Sequence, residues 1–234
     1  MTENELKSRL REIALSCGGS GPERTPAGPA VYLTFDDGPG PYTAGLLDVL
    51  KDCGVRATFF VTAQKPDCLD LISRASAEGH SIGAHTFSHE YREIYAGDGA
   101  FLRDFLACEE MIRARTGRYT RLFRFPGGSS NTVSRITPGI VTRMSETLTA
   151  MGFRYFDWNV DSGDALGGAR SSYTVADNVA SGCLENTVNV VLQHDTKDFS
   201  VAAVESILRW GTNNGYVFEA LDESSYGAHH GTNN

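Results

Sequence analysis

From Ala30 onward, short apolar runs alternate with stretches of helical periodicity. Strand-like runs fall at Val31–Phe35, Ala57–Val61, Ser81–Gly83, Arg121–Arg124, Tyr155–Val160, Val188–Leu192 and Tyr216–Phe218. Between them, apolar positions spaced three and four apart predict helices near Thr43–Asp52, Asp67–Glu78, Asp98–Thr116, Pro138–Met151, Val175–Ser181 and Phe199–Asn214. Seven strands alternating with helices predict an α/β fold with parallel pairing under a helical cover. Periodicity does not choose between an open sheet and a barrel, but the polar positions do. Asp36-Asp37, His85, Arg124, Asp161 and His194 all fall at or just past the C-terminal end of a strand, where a parallel barrel assembles its active site.

The ends of the chain differ in pattern. Thr2–Ser16 reads as a short charged helix, followed by the Gly-rich break Gly18-Gly19-Ser20-Gly21-Pro22. Residues 1–29 are therefore expected to be an appendage of helix and flexible linker, residues 30–221 the globular domain, and residues 222–234 a flexible polar tail carrying His229-His230.

Composition narrows the classes. At 234 residues and 41% hydrophobic content the chain can bury one sizeable core. A net charge of -8 without clustered Lys and Arg argues against nucleic acid as a partner. No apolar run reaches the ~18 residues of a membrane helix. Met1–Cys17 is too charged for a signal peptide's apolar segment. The five cysteines show no C-x-x-C spacing and an odd count, which describes separate thiols and not a disulfide framework.

Candidate chemistry concentrates in His85-Thr86-Phe87-Ser88-His89 and Thr34-Phe35-Asp36-Asp37-Gly38-Pro39. Two imidazoles one helical turn apart can reach one cation, and a carboxylate from a strand end can complete a three-ligand site with an open position. Adjacent residues on an extended segment point to opposite sides, so Asp36 and Asp37 can address one centre only if the chain bends, as Gly38-Pro39 allows.

Five ordered motifs carry a resemblance over roughly Ala30–Leu221: Thr34-Phe35-Asp36-Asp37-Gly38-Pro39, His85-Thr86-Phe87-Ser88-His89, Arg124-Phe125-Pro126-Gly127-Gly128, Asp161-Ser162-Gly163-Asp164 and Leu192-Gln193-His194-Asp195. In these the chain resembles the polysaccharide deacetylase family, the NodB-homology domain or carbohydrate esterase family 4. The resemblance implies a distorted (β/α) barrel and metal-dependent removal of N-acetyl, sometimes O-acetyl, groups from sugar polymers. It implies Asp37, His85 and His89 as ligands of a divalent metal, Zn²⁺ by default with Co²⁺, Ni²⁺ or Mn²⁺ tolerated. By the same resemblance Asp36 is the general base, Arg124 orients it, the Gly127 amide donates to the oxyanion, and His194 is the general acid. Asp161 is the leading neighbour to tune His194, with Asp164 and Asp195 as competitors. Leu192 is either an acetyl-pocket residue or simply part of the barrel, and Trp158 either packs in the core or replaces the Trp that many relatives carry where Ala165 stands. Gly127 also departs from relatives that carry a larger side chain there.

The resemblance further implies a polysaccharide or oligosaccharide partner and a secreted or cell-surface bacterial setting, with a monomer the expected state. Peptidoglycan N-acetylglucosamine ranks first as substrate, chitooligosaccharide second and acetylated xylan third. An O-acetyl esterase, a small-molecule amidase on the same metal site, and a non-catalytic carbohydrate-binding protein are the rival readings. Against the last stands the full set of Asp36, Asp37, His85, His89, Arg124 and His194, since a binder needs neither base nor acid.

Overall fold

The computed structural model describes residues 1–18, 21–165 and 171–232. Eight parallel strands form one curled sheet: β1 (Ala30–Asp36), β2 (Thr58–Val61), β3 (Ser81–Ala84), β4 (Leu122–Phe123), β5 (Arg154–Tyr155), β6 (Val160–Asp161), β7 (Val188–His194) and β8 (Val217–Phe218). Their order is β5-β4-β3-β2-β1-β7-β6, and β8 pairs with the first residues of β1. The helices are α1 (Glu3–Ser16), α2 (Thr43–Asp52), α3 (Asp70–Ala77), α4 (Tyr91–Ile94), α5 (Asp98–Thr116), α6 (Ile140–Met151), α7 (Ser172–Cys183) and α8 (Asp198–Asn213).

Alternation along the strands decides what faces the helices. On β1, Val31, Leu33 and Phe35 join the main apolar core with Phe59, Val61, Phe123 and Val191, while Ala30 and Tyr32 pack inside the curl with Phe60, Leu122, Phe156 and Val190. The same period of two carries Thr34 and Asp36 inward. Register then sets depth: β1 pairs with β7 over its whole length, which puts Asp36 beside His194.

Two expectations change. The strand expected at Tyr155–Val160 is two short strands, β5 and β6, which do not pair with each other among the described residues. A single extended stretch bridges the seam, with Phe156 donating to Phe123 O at 3.0 Å and Asn159 to Val190 O at 3.1 Å. Over the described residues the two terminal segments also pack against the barrel; Gly19-Ser20 of the expected linker and Asn233-Asn234 of the expected tail lie outside those residues. α1 buries Leu6, Leu10 and Ile13 against α5 and α6, each side chain worth about 1.5–3 kcal/mol. The C-terminal segment enters the seam, where Asp157 N donates to Ala228 O at 2.8 Å and the His229 ring packs 4.2 Å from that of Tyr155. A charged or polar composition hid both contacts, because the few apolar or hydrogen-bonding positions that dock are separated by exposed ones. All five cysteines are free thiols. Among the described residues no helix is long and apolar enough to cross a membrane.

Candidate active site

Both carboxylates of the Asp36-Asp37 pair reach the same mouth because the bend lies at Asp37 itself, whose φ is 69°. Asp36 is the last residue of β1, and Asp37 turns back through left-handed backbone. Thr62, just past β2, holds the turn: its N–H donates to Gly38 O at 2.7 Å and its hydroxyl to Asp37 O at 3.1 Å. Gly38 has no room for a side chain, since a Cβ there would lie 2.2 Å from the Asp195 carboxylate.

The segment His85–His89 is a loop and not the helical turn expected, with Thr86 at φ 67° and His89 at φ 57°. The imidazoles converge all the same, with ring centroids 5.0 Å apart. Asp104 of α5 fastens this loop by accepting from Phe87 N at 2.5 Å and Ser88 N at 3.1 Å. His85 is buried, and its Nδ1 lies 2.8 Å from Arg124 O. A carbonyl only accepts, so Nδ1 carries the proton and Nε2 presents its lone pair to the mouth. Burial and the neighbouring His89 push the His85 ring down to about 3, which keeps it neutral. Asp37 Oδ1 stands 3.5 Å from His85 Nε2 and 3.1 Å from His89 Nε2. The donor atoms of Asp37, His85 and His89 all lie within 4.8 Å of one another. One carboxylate and two imidazoles, one of them fixed in its ligating tautomer, fit a borderline divalent cation.

Arg124 follows β4 and is 1% exposed. Its guanidinium donates to Asp36 Oδ1 and Thr34 Oγ1 through one nitrogen, at 2.8 and 2.7 Å, and to the carbonyls of Phe156 and Asp157 at 2.8 Å each. The contact with Asp36 is thus through a single nitrogen and not bidentate. Its flat faces meet Phe60 at 4.3 Å and Trp158 at 5.6 Å. Burial raises the Asp36 pKa, and the Arg124 charge opposes that rise.

His194, at the end of β7, completes the group, with Nε2 3.7 Å from Asp37 Oδ2. Its partner is Asp164, not Asp161. Asp164 Oδ1 lies 2.7 Å from His194 Nδ1, and Oδ2 accepts from His194 N at 2.8 Å. Asp161 turns outward and accepts from Gly163 N at 2.8 Å within its own turn. The physical reason is local: the turn Ser162-Gly163, with Gly163 at φ 73°, returns the chain so that the second Asp of the motif and not the first faces β7. Asp195 also faces away from His194, accepting from Thr43 Oγ1 at 2.5 Å, and burial pushes its carboxyl up to about 7. Burial alone would lower the His194 pKa, but the hydrogen bond and charge of Asp164 and the charges of Asp37 and Asp36 raise it.

The remaining expected residues line this mouth or its wall. Gly127, at φ 76°, follows Pro126, and its N–H makes no hydrogen bond among the described residues. Leu192 is 5% exposed and pairs in register with Thr34 and Asp161. Trp158 is half-buried, between Arg124 and the His230 ring, whose centroid is 4.7 Å away. Sequence reasoning missed Asp157, which is fully buried and accepts from Ser129 N at 2.8 Å, Ser129 Oγ at 2.5 Å and His230 N at 2.8 Å. It joins the Gly127–Ser129 turn to the C-terminal segment. An acidic residue in an otherwise strand-like run was the signal that could have found it. A cavity of about 690 Å³ lies at the opposite end of the barrel, lined by α1, α5 and the strand starts, and shares no residue with this group.

A barrel mouth that gathers a metal-type donor triad, a carboxylate clamped by a guanidinium and a carboxylate-backed imidazole has the groups that hydrolytic chemistry requires, able to act as electrophile holder, base and acid around one space. The polysaccharide deacetylase family matches residues 23–137. A peptidoglycan-N-acetylglucosamine deacetylase of Bacillus cereus is 36% identical over 199 residues, 83% of this chain and 70% of that protein. A putative polysaccharide deacetylase of Bacillus subtilis is 32% identical, over 85% of this chain and 69% of its own length. Among solved structures, the catalytic domain of a peptidoglycan N-acetylglucosamine deacetylase from Eubacterium rectale superposes with a TM-score of 0.90 at 47% identity, covering 93% of this chain and all of that one, 100%. The chain belongs to the polysaccharide deacetylase family, and it is an enzyme of that class.

Proposed function

We propose that this protein is a metal-dependent N-deacetylase of N-acetylglucosamine residues in peptidoglycan. The observation that carries the reading is the convergence of Asp37, His85 and His89 within 4.8 Å beside Asp36 and His194, each of the last two held by its own buried partner. The substrate follows the names of the relatives, several of which are peptidoglycan N-acetylglucosamine deacetylases.

Asp37, His85 and His89 would hold the divalent cation, Zn²⁺ first, which supplies Lewis-acid polarisation of the acetamide carbonyl and of the attacking water. Asp36, kept in place by Arg124, accepts the proton of that water as its oxygen attacks the carbonyl carbon. The oxygen of the tetrahedral intermediate takes a hydrogen bond from the Gly127 amide. His194, held in one tautomer by Asp164, donates its proton to the departing amine nitrogen as the carbon–nitrogen bond breaks. Acetate and a free glucosamine-type residue result.

Elemental analysis paired with acetate release from peptidoglycan, chitin oligomers and acetyl-xylan tests this. Bound metal with release from peptidoglycan is expected. Release from acetyl-xylan alone would replace the reading with an O-acetyl esterase, and no release with metal bound would point to a small-molecule acyl substrate.

A further inference from the structure

The absence of a side chain at Gly127 lets Asn131 and Tyr91 close in beside its amide. A Cβ placed on Gly127 would lie 3.0 Å from the Asn131 Cβ, 3.2 Å from the hydroxyl oxygen of Tyr91 and 3.3 Å from the Tyr91 ring carbon Cε1. Tyr91 opens α4, two residues after His89, and its ring stands edge-on to the His89 ring at 5.1 Å. The phenol therefore sits between a metal-type ligand and the free amide of Gly127. Its hydroxyl has no hydrogen-bond partner among the described residues. The contrast with Tyr95, one turn on, is direct: that buried hydroxyl donates to Pro126 O at 2.9 Å and accepts from Asn131 Nδ2 at 3.2 Å. Tyr91 is half-buried, and its ring packs against His89 and, at 6.3 Å, against Tyr95.

Distance makes the chemistry specific. A Cβ is about 2.5 Å from the amide nitrogen of its own residue, so the Tyr91 oxygen is within about 5.7 Å of the Gly127 nitrogen. Two donors that share one acceptor at about 2.9 Å each are separated by at most about 5.8 Å. We propose that the Tyr91 hydroxyl is a second hydrogen-bond donor, with the Gly127 amide, to the oxyanion formed at the acetyl carbonyl. The proposal rests on the deacetylase reading above and names a catalytic residue of that site. No proton leaves Tyr91 in the step; its O–H bond persists while the carbonyl π pair becomes the oxyanion lone pair, and it relaxes when the carbon–nitrogen bond breaks.

Tyr91→Phe keeps the ring and removes only the donor, so it tests the idea on the intact chain loaded with metal. The expected result is a kcat lower by about 100-fold on N-acetylglucosamine oligomers, with KM within about twofold of wild type, as for loss of one oxyanion donor. A methylphosphonamidate analogue, whose tetrahedral oxygen mimics the oxyanion, should bind the variant at least tenfold more weakly (~), while the deacetylated oligomer binds both proteins equally. A kcat within twofold of wild type (~), or a loss confined to KM, would overturn the assignment and make Tyr91 a wall for the sugar. Unchanged analogue affinity would overturn it too. Wild-type protein that releases no acetate would bring down the deacetylase reading and Tyr91's role with it, which separates that failure from one confined to the variant.

Discussion

The two sides of the barrel hold their functional groups by different means. On the β1–β7 side the backbone does it: β1 and β7 pair from Ala30 with Val188 to Asp36 with His194, and two strand ends deliver a base candidate and an acid candidate next to each other. On the seam side the strands β4, β5 and β6 are two residues each, and β3 meets β4 at Ala84 with Phe123 alone. There side chains reinforce a short ladder. Arg124 makes four hydrogen bonds to β1 and the seam, and Asp157 ties Ser129 to His230. A regular strand positions its residues through many weak constraints, whereas the seam concentrates them in two buried charged groups.

The strongest way to break this contrast is Asp36→Asn. It should lower acetate release by at least about a thousandfold, as a lost general base does, with metal content unchanged by elemental analysis. Retained turnover would remove Asp36 from the chemistry. Next in size, Arg124→Met should cost about 3–5 kcal/mol in urea unfolding, because the buried Asp36 carboxylate loses the guanidinium that donates to it at 2.8 Å. A cost below about 1 kcal/mol would show that the short strands hold the seam unaided.

Asp164→Asn should reduce kcat and move the alkaline limb of the kcat/KM profile to lower pH. The sign follows from His194, whose folded pKa stands above its ordinary 6.5. Its charged form, and the stability that comes with it, is fully present below that ordinary value and is lost as pH rises through the raised one. Without the Asp164 charge the loss comes sooner. An unmoved limb would sever the acid from His194. The smallest effect is expected from Asp157→Asn, about 1–3 kcal/mol in stability with a modest fall in kcat as the Gly127 turn loosens. Hydrogen exchange at Ser129 and His230 should rise together, and independent changes would separate the turn from the C-terminal segment.

The sequence made the β1–β7 side readable and left the seam obscure. Period-two alternation in Val31–Phe35 and Val188–Leu192 placed both strands and the residues just beyond them. The same reading fused β5 and β6 into one strand, because a continuous extended stretch has one pattern whether it pairs with one neighbour or two. It also passed over α4, whose four residues are too few to show a period. His85 and His89 were legible as a pair by type and spacing, yet their convergence comes from left-handed backbone at Thr86 and His89 that no spacing rule encodes.

Residue identity alone determined the parallel α/β order and the end of the barrel where Asp36, Asp37, His85, Arg124 and His194 gather, while the metal, base and acid roles proposed for them came from the family resemblance. Order and end follow from local periodicity, which the chain carries wherever it folds. Only the tertiary structure decided that Asp164 rather than Asp161 backs His194, that Asp157 locks the seam to the C-terminal segment, and that Tyr91 with Asn131 closes in on Gly127. Each of those outcomes depends on which of several equally suitable side chains a turn happens to aim across the barrel, and aim is a property of packed backbone, not of sequence spacing.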